Sequence, residues 1–236
     1  MNPRKSLFSL ALATLGVCAL PGAADAFTLS RVSDDYAFND IIDELSFVAE
    51  GRIGGNSTFE LDIHEDHPGV ILPGDSAEFS WDNGVAQAFE LMYDAVNSLV
   101  TYTVGDVTLD YTATDPFSDI FIRTRAVNAG SSIEVNNLFL DETAIDDFSI
   151  ANTDDGVEYL RIGGLSGDSF KLSGDSIMSW LGEAPTQSRL AYQIKVGTSK
   201  DGSVQPEDVP EPGTVLALVV GAGALGLTRR RREETA

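Results

Sequence analysis

Hydrophobic and polar positions change rhythm several times along this chain. Residues 7–20 form an uncharged, mostly apolar run behind Arg4 and Lys5. After Asp34-Asp35, the residues Ala37, Ile41, Ile42 and Leu45 recur at helical spacing, with acids at the front where the helix dipole favours them. That pattern predicts one short helix over 36–45. Beyond it the period is two. Phe59, Leu61 and Ile63 alternate with Glu60 and Asp62 as in a half-buried strand, and Pro68-Gly69 and Pro73-Gly74 bracket a turn-rich loop. Phe79 and Trp81 mark a strand over 77–81, closed by the turn signal Asp82-Asn83-Gly84. Strands over 86–93 and 99–104 make a hairpin around Asp94-Ala95-Val96-Asn97-Ser98. Strands over 120–125 and 133–140 flank a turn at Asn128-Ala129-Gly130, and 157–162, 169–172 and 190–196 complete the set. In the last of these, Leu190, Tyr192, Ile194 and Val196 face one way and Ala191, Gln193 and Lys195 the other. About nine short strands without βαβ alternation predict a mainly β chain. The expected fold is an antiparallel β-sandwich or jelly-roll-like domain over 27–197 with one short N-terminal helix. The alternation ends at Gly197, and 198–208 reads as a polar linker.

Both ends carry targeting features. Arg4 and Lys5 form a positive n-region, residues 7–20 an h-region, Pro21-Gly22 a break and Ala24-Asp25-Ala26 an A-x-A site. Residues 1–26 are therefore expected to be a signal peptide cut between Ala26 and Phe27. The single cysteine, Cys18, lies inside it, and Val17 is too large for a lipoprotein signal. The mature chain has no cysteine, which excludes disulfides and thiol chemistry.

At the other end, Pro210-Glu211-Pro212 precedes an uncharged run over 213–227, and Arg229, Arg230, Arg231 and Arg232 follow it. Fifteen helical residues span roughly 22 Å, short of a comfortable bilayer crossing. Inclusion of Thr228 and snorkelling of the arginines make up part of the gap. Four arginines hold that end in the cytoplasm and leave everything upstream outside. The tripeptide, the hydrophobic helix over 213–228 and the basic cluster, in that order over 209–236, resemble the PEP-CTERM sorting signal of exported bacterial proteins. The resemblance implies transient inner-membrane insertion, recognition by a membrane-embedded exosortase and cleavage near Pro210-Glu211-Pro212. It implies nothing about the domain that the tail carries.

Charge narrows the choice of partners. Of 15 basic and 37 acidic residues, six and four lie in the two end segments, so residues 27–208 hold nine basic and 33 acidic groups. A formal charge of about −24 repels nucleic acid and anionic lipid, keeps an exported surface soluble and attracts cations.

Candidate chemistry is sparse. His64 and His67 are the only histidines, in His64-Glu65-Asp66-His67. Their spacing of three, in a strand end running into Pro68-Gly69, does not fit a zincin helix and reads as a solvated loop rather than a metal site. Gly163-Gly164-Leu165-Ser166-Gly167 is no Gly-x-Ser-x-Gly elbow, so a Ser/His/Asp set has no host for its nucleophile. Oxygen-rich loops suit calcium, and Asp141, Glu142, Asp146, Asp147, Asp154 and Asp155 are the candidates, although none fits an EF-hand loop. Asn56-Ser57-Thr58 is a glycosylation sequon.

The body also resembles the choice-of-anchor domains that bacteria pair with interchangeable surface anchors, through Trp81-Asp82-Asn83-Gly84, Phe89-Glu-Leu-Met-Tyr-Asp94, Trp180-Leu-Gly-Glu-Ala-Pro185 and Gln193-Ile-Lys-Val-Gly197. That implies a β-sandwich without catalytic residues. The leading expectation is a non-enzymatic exported protein of the cell surface or matrix, sorted by an exosortase and associated with exopolysaccharide. The alternatives are a calcium-assisted carbohydrate-binding module, with Trp81 and Trp180 stacking on sugars rather than sitting in the core, and a secreted hydrolase.

Overall fold

The computed structural model describes residues 27–53, 60–67, 70–71, 74–153 and 156–200. The expected signal peptide, the sequon at Asn56, the pair Asp154 and Asp155, and everything from residue 201, including the sorting tail, lie outside the described residues.

In chain order, β1 (Thr28–Val32) leads into the helix α1 (Asp35–Ile41), followed by β2 (Ile42–Ile53), β3 (Leu61–His64), the short pair β4 (Asp66–His67) and β5 (Val70–Ile71), and β6 (Asp75–Ala77). Then come β7 (Ala86–Asp94), β8 (Leu99–Val104), β9 (Val107–Thr112), β10 (Asp119–Ala126) and β11 (Ser132–Leu140). The chain finishes with β12 (Thr143–Ala144), β13 (Ser149–Asn152), β14 (Val157–Gly163), β15 (Phe170–Ser179) and β16 (Leu190–Ser199). One sheet has the order β1-β14-β10-β16-β2-β3-β6; the facing sheet runs β12-β11-β15-β7-β8-β9, with β13 also on β11. Every pairing between them is antiparallel. The fold is the expected mainly β, open antiparallel sandwich.

The main core lies between the sheets, where Phe47, Leu61, Ile120, Ile122, Leu160 and Ile194 meet Phe89, Leu91, Tyr102, Ile133 and Leu172. A second, smaller cluster covers the outer face of the first sheet. Phe38 of α1 stacks on Tyr159 at 4.8 Å and meets Phe121 edge-on at 5.1 Å, among Val32, Leu45 and Val48. Hence the middle of this sheet is buried on both faces, and β2 reads Leu-Ser-Phe-Val-Ala-Glu-Gly without exposure from Leu45 to Gly51.

Several elements differ from the sequence expectation. The helix ends at Ile41 instead of Leu45, because Ile42–Leu45 joins β2 and pairs with β16. Its start is set by Asp34, whose carboxylate accepts from the backbone N–H groups of Tyr36 and Ala37 at 2.9 and 2.8 Å. Its end is held by Lys200, whose Nζ donates to the carbonyls of Asn39 and Asp40. The strand expected over 77–81 is instead β6; Phe79 and Trp81 leave the ladder but still pack on the core, and the Trp81 indole N–H donates to the Arg52 carbonyl. The final strand continues two residues past Gly197, to Ser199. The turn at Asp82-Asn83-Gly84 forms as expected, with Gly84 at φ +74 and the Asn83 amide exchanging two hydrogen bonds with the Trp180 backbone.

Candidate functional site

Register and pleat put a polar row across the outer face of the first sheet. Tyr159 of β14 lies opposite Arg123 of β10, Arg123 opposite Gln193 of β16, Gln193 opposite Glu50 of β2, and Glu50 opposite Asp62 of β3. Because same-face residues recur every second position, the next rows add Arg52 beside Ala191 and His64 beside Val48.

At one end of the row, helix α1 lowers Asp35 onto the sheet. The Arg123 guanidinium donates to both carboxylate oxygens, Nε to Oδ1 and Nη2 to Oδ2, each at 2.8 Å, and the Tyr159 hydroxyl donates to Oδ1 at 2.6 Å. The Arg123 hydrogen bonds lower the Asp35 carboxyl to about 2, against the opposing effect of burial. Burial and the hydrogen bond to Asp35 push the Tyr159 phenol well above its ordinary range. Burial acts to lower Arg123, but Asp35 outweighs it and raises the guanidinium. Asp35 is thus a fixed anion and Tyr159 a fixed donor at neutral pH. Beside this triad an open cleft of about 690 Å³ runs under α1, lined by Asn39, Asp43, Glu44, Gln193 and Lys195.

At the other end, Gln193 donates Nε2 to Glu50 Oε2 at 2.8 Å, and Arg52 pairs with Glu50 Oε1 and, at 3.5 Å, with Asp62. His64 Nδ1 sits 3.1 Å from Asp62 Oδ1. Among the described residues, Glu50, Asp62 and His64 are the group whose ligand atoms lie close enough, all within 4.8 Å of one another, to hold a metal ion. His64 is not in a solvated loop: it is 7 % exposed on β3, facing the carboxylates of two strands. Sequence proximity suggested His67 as its companion, whereas the sheet register supplies Glu50 and Asp62. Period-two patterning through Asp62 and His64 contains part of that signal; the contribution of β2 is hidden, because a strand buried on both faces does not alternate.

The acids nominated for calcium are placed differently. Asp141, at φ +54, accepts the Lys171 backbone N–H at 2.9 Å. Asp147 pairs with Arg31 and accepts the Phe148 N–H, while Glu142 and Asp146 are exposed in the same stretch. Asp154 and Asp155 lie outside the described residues. Trp81 packs edge-on against Phe79 and Tyr192, and Trp180 is half-buried against the main core.

The expected membrane-crossing segment over 213–228 also falls outside the described residues. Among the described residues no helix is long and apolar enough to cross a membrane. No curated protein matches the sequence. Residues 208–232 match the PEP-CTERM protein-sorting motif, which covers Pro210, Glu211, Pro212 and all four arginines of the basic cluster. The sandwich is therefore the body of an exported protein whose tail marks it for exosortase sorting at the membrane toward the cell surface.

Proposed function

We propose that the sandwich is a non-enzymatic cargo domain of the cell surface or extracellular matrix, freed from its tail by the exosortase and held among secreted polysaccharide. The observation that carries this reading is the sorting motif at 208–232, placed eight residues beyond the last described residue, Lys200. The chemistry of the outer face supports it. A glycosidase needs one carboxyl with a raised pKa to donate a proton, whereas Asp35, one of three carboxyls lining the cleft with Asp43 and Glu44, is lowered to about 2 by Arg123. The aromatic residues favour it over a carbohydrate-binding module that stacks sugars on tryptophan. Trp81 gives its N–H to the Arg52 carbonyl and packs edge-on against Phe79 and Tyr192, and Trp180 is half-buried against the core.

Intact mass of the protein recovered from outer-surface and medium fractions of its host tests the sorting half of the reading. The expected species runs from Phe27 to the neighbourhood of 210–212. A mass that retains Arg229, Arg230, Arg231 and Arg232 would make the tail a permanent anchor. The matrix half is tested by digesting the secreted polysaccharide: the processed protein is expected to leave the matrix fraction, and retention there would refute the association.

A further inference from the structure

We infer that Glu50, Asp62 and His64 form a binding site for a divalent transition ion of the zinc class, and that Arg52 is the resident cation such an ion displaces. Three observations carry this. The first is placement. Glu50 and Asp62 are register partners on β2 and β3, and His64 is two residues from Asp62, so the pleat puts all three side chains on one face. No loop has to close to assemble them.

The second is distance. Zinc binds imidazole nitrogen at about 2.0–2.1 Å and carboxylate oxygen at about 2.0–2.2 Å, so a tetrahedral N–Zn–O angle sets the two ligand atoms roughly 3.3 Å apart. His64 Nδ1 and Asp62 Oδ1 are 3.1 Å apart, and Glu50 completes the set within 4.8 Å. One imidazole with two carboxylates suits zinc or manganese better than calcium, which takes oxygen ligands only.

The third is charge. Two carboxylates face one guanidinium and the imidazole at a site where Glu50 is 5 % and His64 7 % exposed, so the polar groups of the cluster meet in little water. Buried carboxylates stripped of a counter-ion are strongly destabilising, and Arg52 supplies that counter-ion in the absence of metal. Its backbone is fixed, since its carbonyl accepts the Trp81 indole N–H at 3.0 Å. Its side chain is 18 % exposed, so the guanidinium borders solvent on one edge. Gln193 holds the second oxygen of Glu50 at 2.8 Å and orients that ligand from outside the site. An ion entering here exchanges one cation for another instead of creating buried charge.

Zinc titration of the full-length chain in detergent, with excess magnesium to occupy the many weak surface carboxylates, tests the assignment. One zinc site is expected above that background. Arg52→Gln should tighten it about tenfold or more by removing the competitor, and Asp62→Asn should weaken it by at least roughly tenfold. His64→Asn should weaken it likewise, while His67→Asn should leave it unchanged. Cobalt provides a second readout, because its visible d–d absorption on binding should disappear in His64→Asn. Asp62 is 22 % exposed on its side chain, so its variant keeps the test open should His64→Asn fail to fold. Unchanged zinc affinity in Asp62→Asn, or no tightening in Arg52→Gln, would reduce the cluster to an ion-pair network and overturn the inference.

Discussion

Asp35→Asn separates the charge of the α1 anchor from its shape, since asparagine keeps the size and loses the anion. The carboxyl is lowered from 3.8 to about 2, which corresponds to roughly 2 kcal/mol of preference for the charged form. The Asp35 side chain is 50 % exposed, so solvent screening reduces this to about 1 kcal/mol. Loss of an acid from the first turn of the helix adds a few tenths of a kcal/mol. Because the folded-state pKa is depressed, the contribution is fully present above the unfolded value near 3.8 and fades as pH falls through about 2. Urea unfolding followed by tryptophan emission should therefore show the variant weaker than wild type by about 1 kcal/mol at neutral pH. Between about pH 4 and pH 2 that gap should close. The other carboxylates contribute equally to both proteins and cancel in the difference. A gap that stays constant down to about pH 2, or that is absent at neutral pH, would refute the ion-pair account of how α1 is held.

Substitutions at two further places probe the sandwich itself. The hydroxyls of Tyr102 and Tyr192 meet at 2.5 Å in the core, where burial raises Tyr102 well above its ordinary range and pushes Tyr192 up to about 12, with Ser176 also hydrogen bonded to Tyr192. Tyr192→Phe should cost about 1–3 kcal/mol by leaving Tyr102 without that partner, Tyr102→Phe less because Ser176 still serves Tyr192, and the double variant less than their sum; additive values in chemical denaturation would contradict the pairing. At Gly197 an added Cβ would lie 2.1 Å from the Glu44 carbonyl oxygen, a backbone atom that cannot rotate away. Gly197→Ala should therefore lie near the upper end of the ~1–3 kcal/mol range for overpacking, and a melting temperature equal to wild type would show that the bulge there yields easily.

For several strands, what could be read from the sequence followed how many faces they bury, although β10 and β14, buried on both faces, were legible as short apolar runs. β7, β8, β11 and the inner positions of β16 alternate, because one face meets the core and the other meets water, and their pattern predicted them. β2 failed the same test for a physical reason. Helix α1 and the polar row cover its outer face, so both faces are buried, its apolar run does not alternate, and its first four residues read as the end of a helix. Edge strands β1, β12 and β13 are two to five residues long and too short for any periodicity to register. The candidate site inherits this blindness. Asp62 and His64 were visible as alternate residues of one strand, whereas Glu50, Arg52, Arg123 and Gln193 reach them only through a sheet order that brings β2, β10 and β16 together from distant parts of the chain. The sorting tail is legible for the opposite reason: its signal lies in consecutive residues that a receptor reads as a linear address.

The sheet order also connects the domain to its export signals. Thr28, Gly163, Asp119 and Gly197 occupy one cross-strand row, so the first and last strands begin and finish at the same end of the sheet. Three strand spacings, roughly 14 Å, separate them. A strand that finishes at a sheet end normally frays, but β16 is clamped there. Arg161 Nε donates to Asp119 Oδ1 at 2.8 Å, Ser199 Oγ donates to Asp119 Oδ2 at 2.9 Å, and Arg161 Nη2 donates to Ser199 Oγ at 2.7 Å. Asp119 is fully buried and Arg161 only 7 % exposed, and removing one partner of such a buried pair costs about 3–5 kcal/mol. Lys200, the next residue, is tied to the helix carbonyls of Asn39 and Asp40. Residues 201–209 then span at most about 30 Å to the Pro210-Glu211-Pro212 tripeptide. The last strand is therefore held by a buried clamp at the same end of the sheet where the first strand begins.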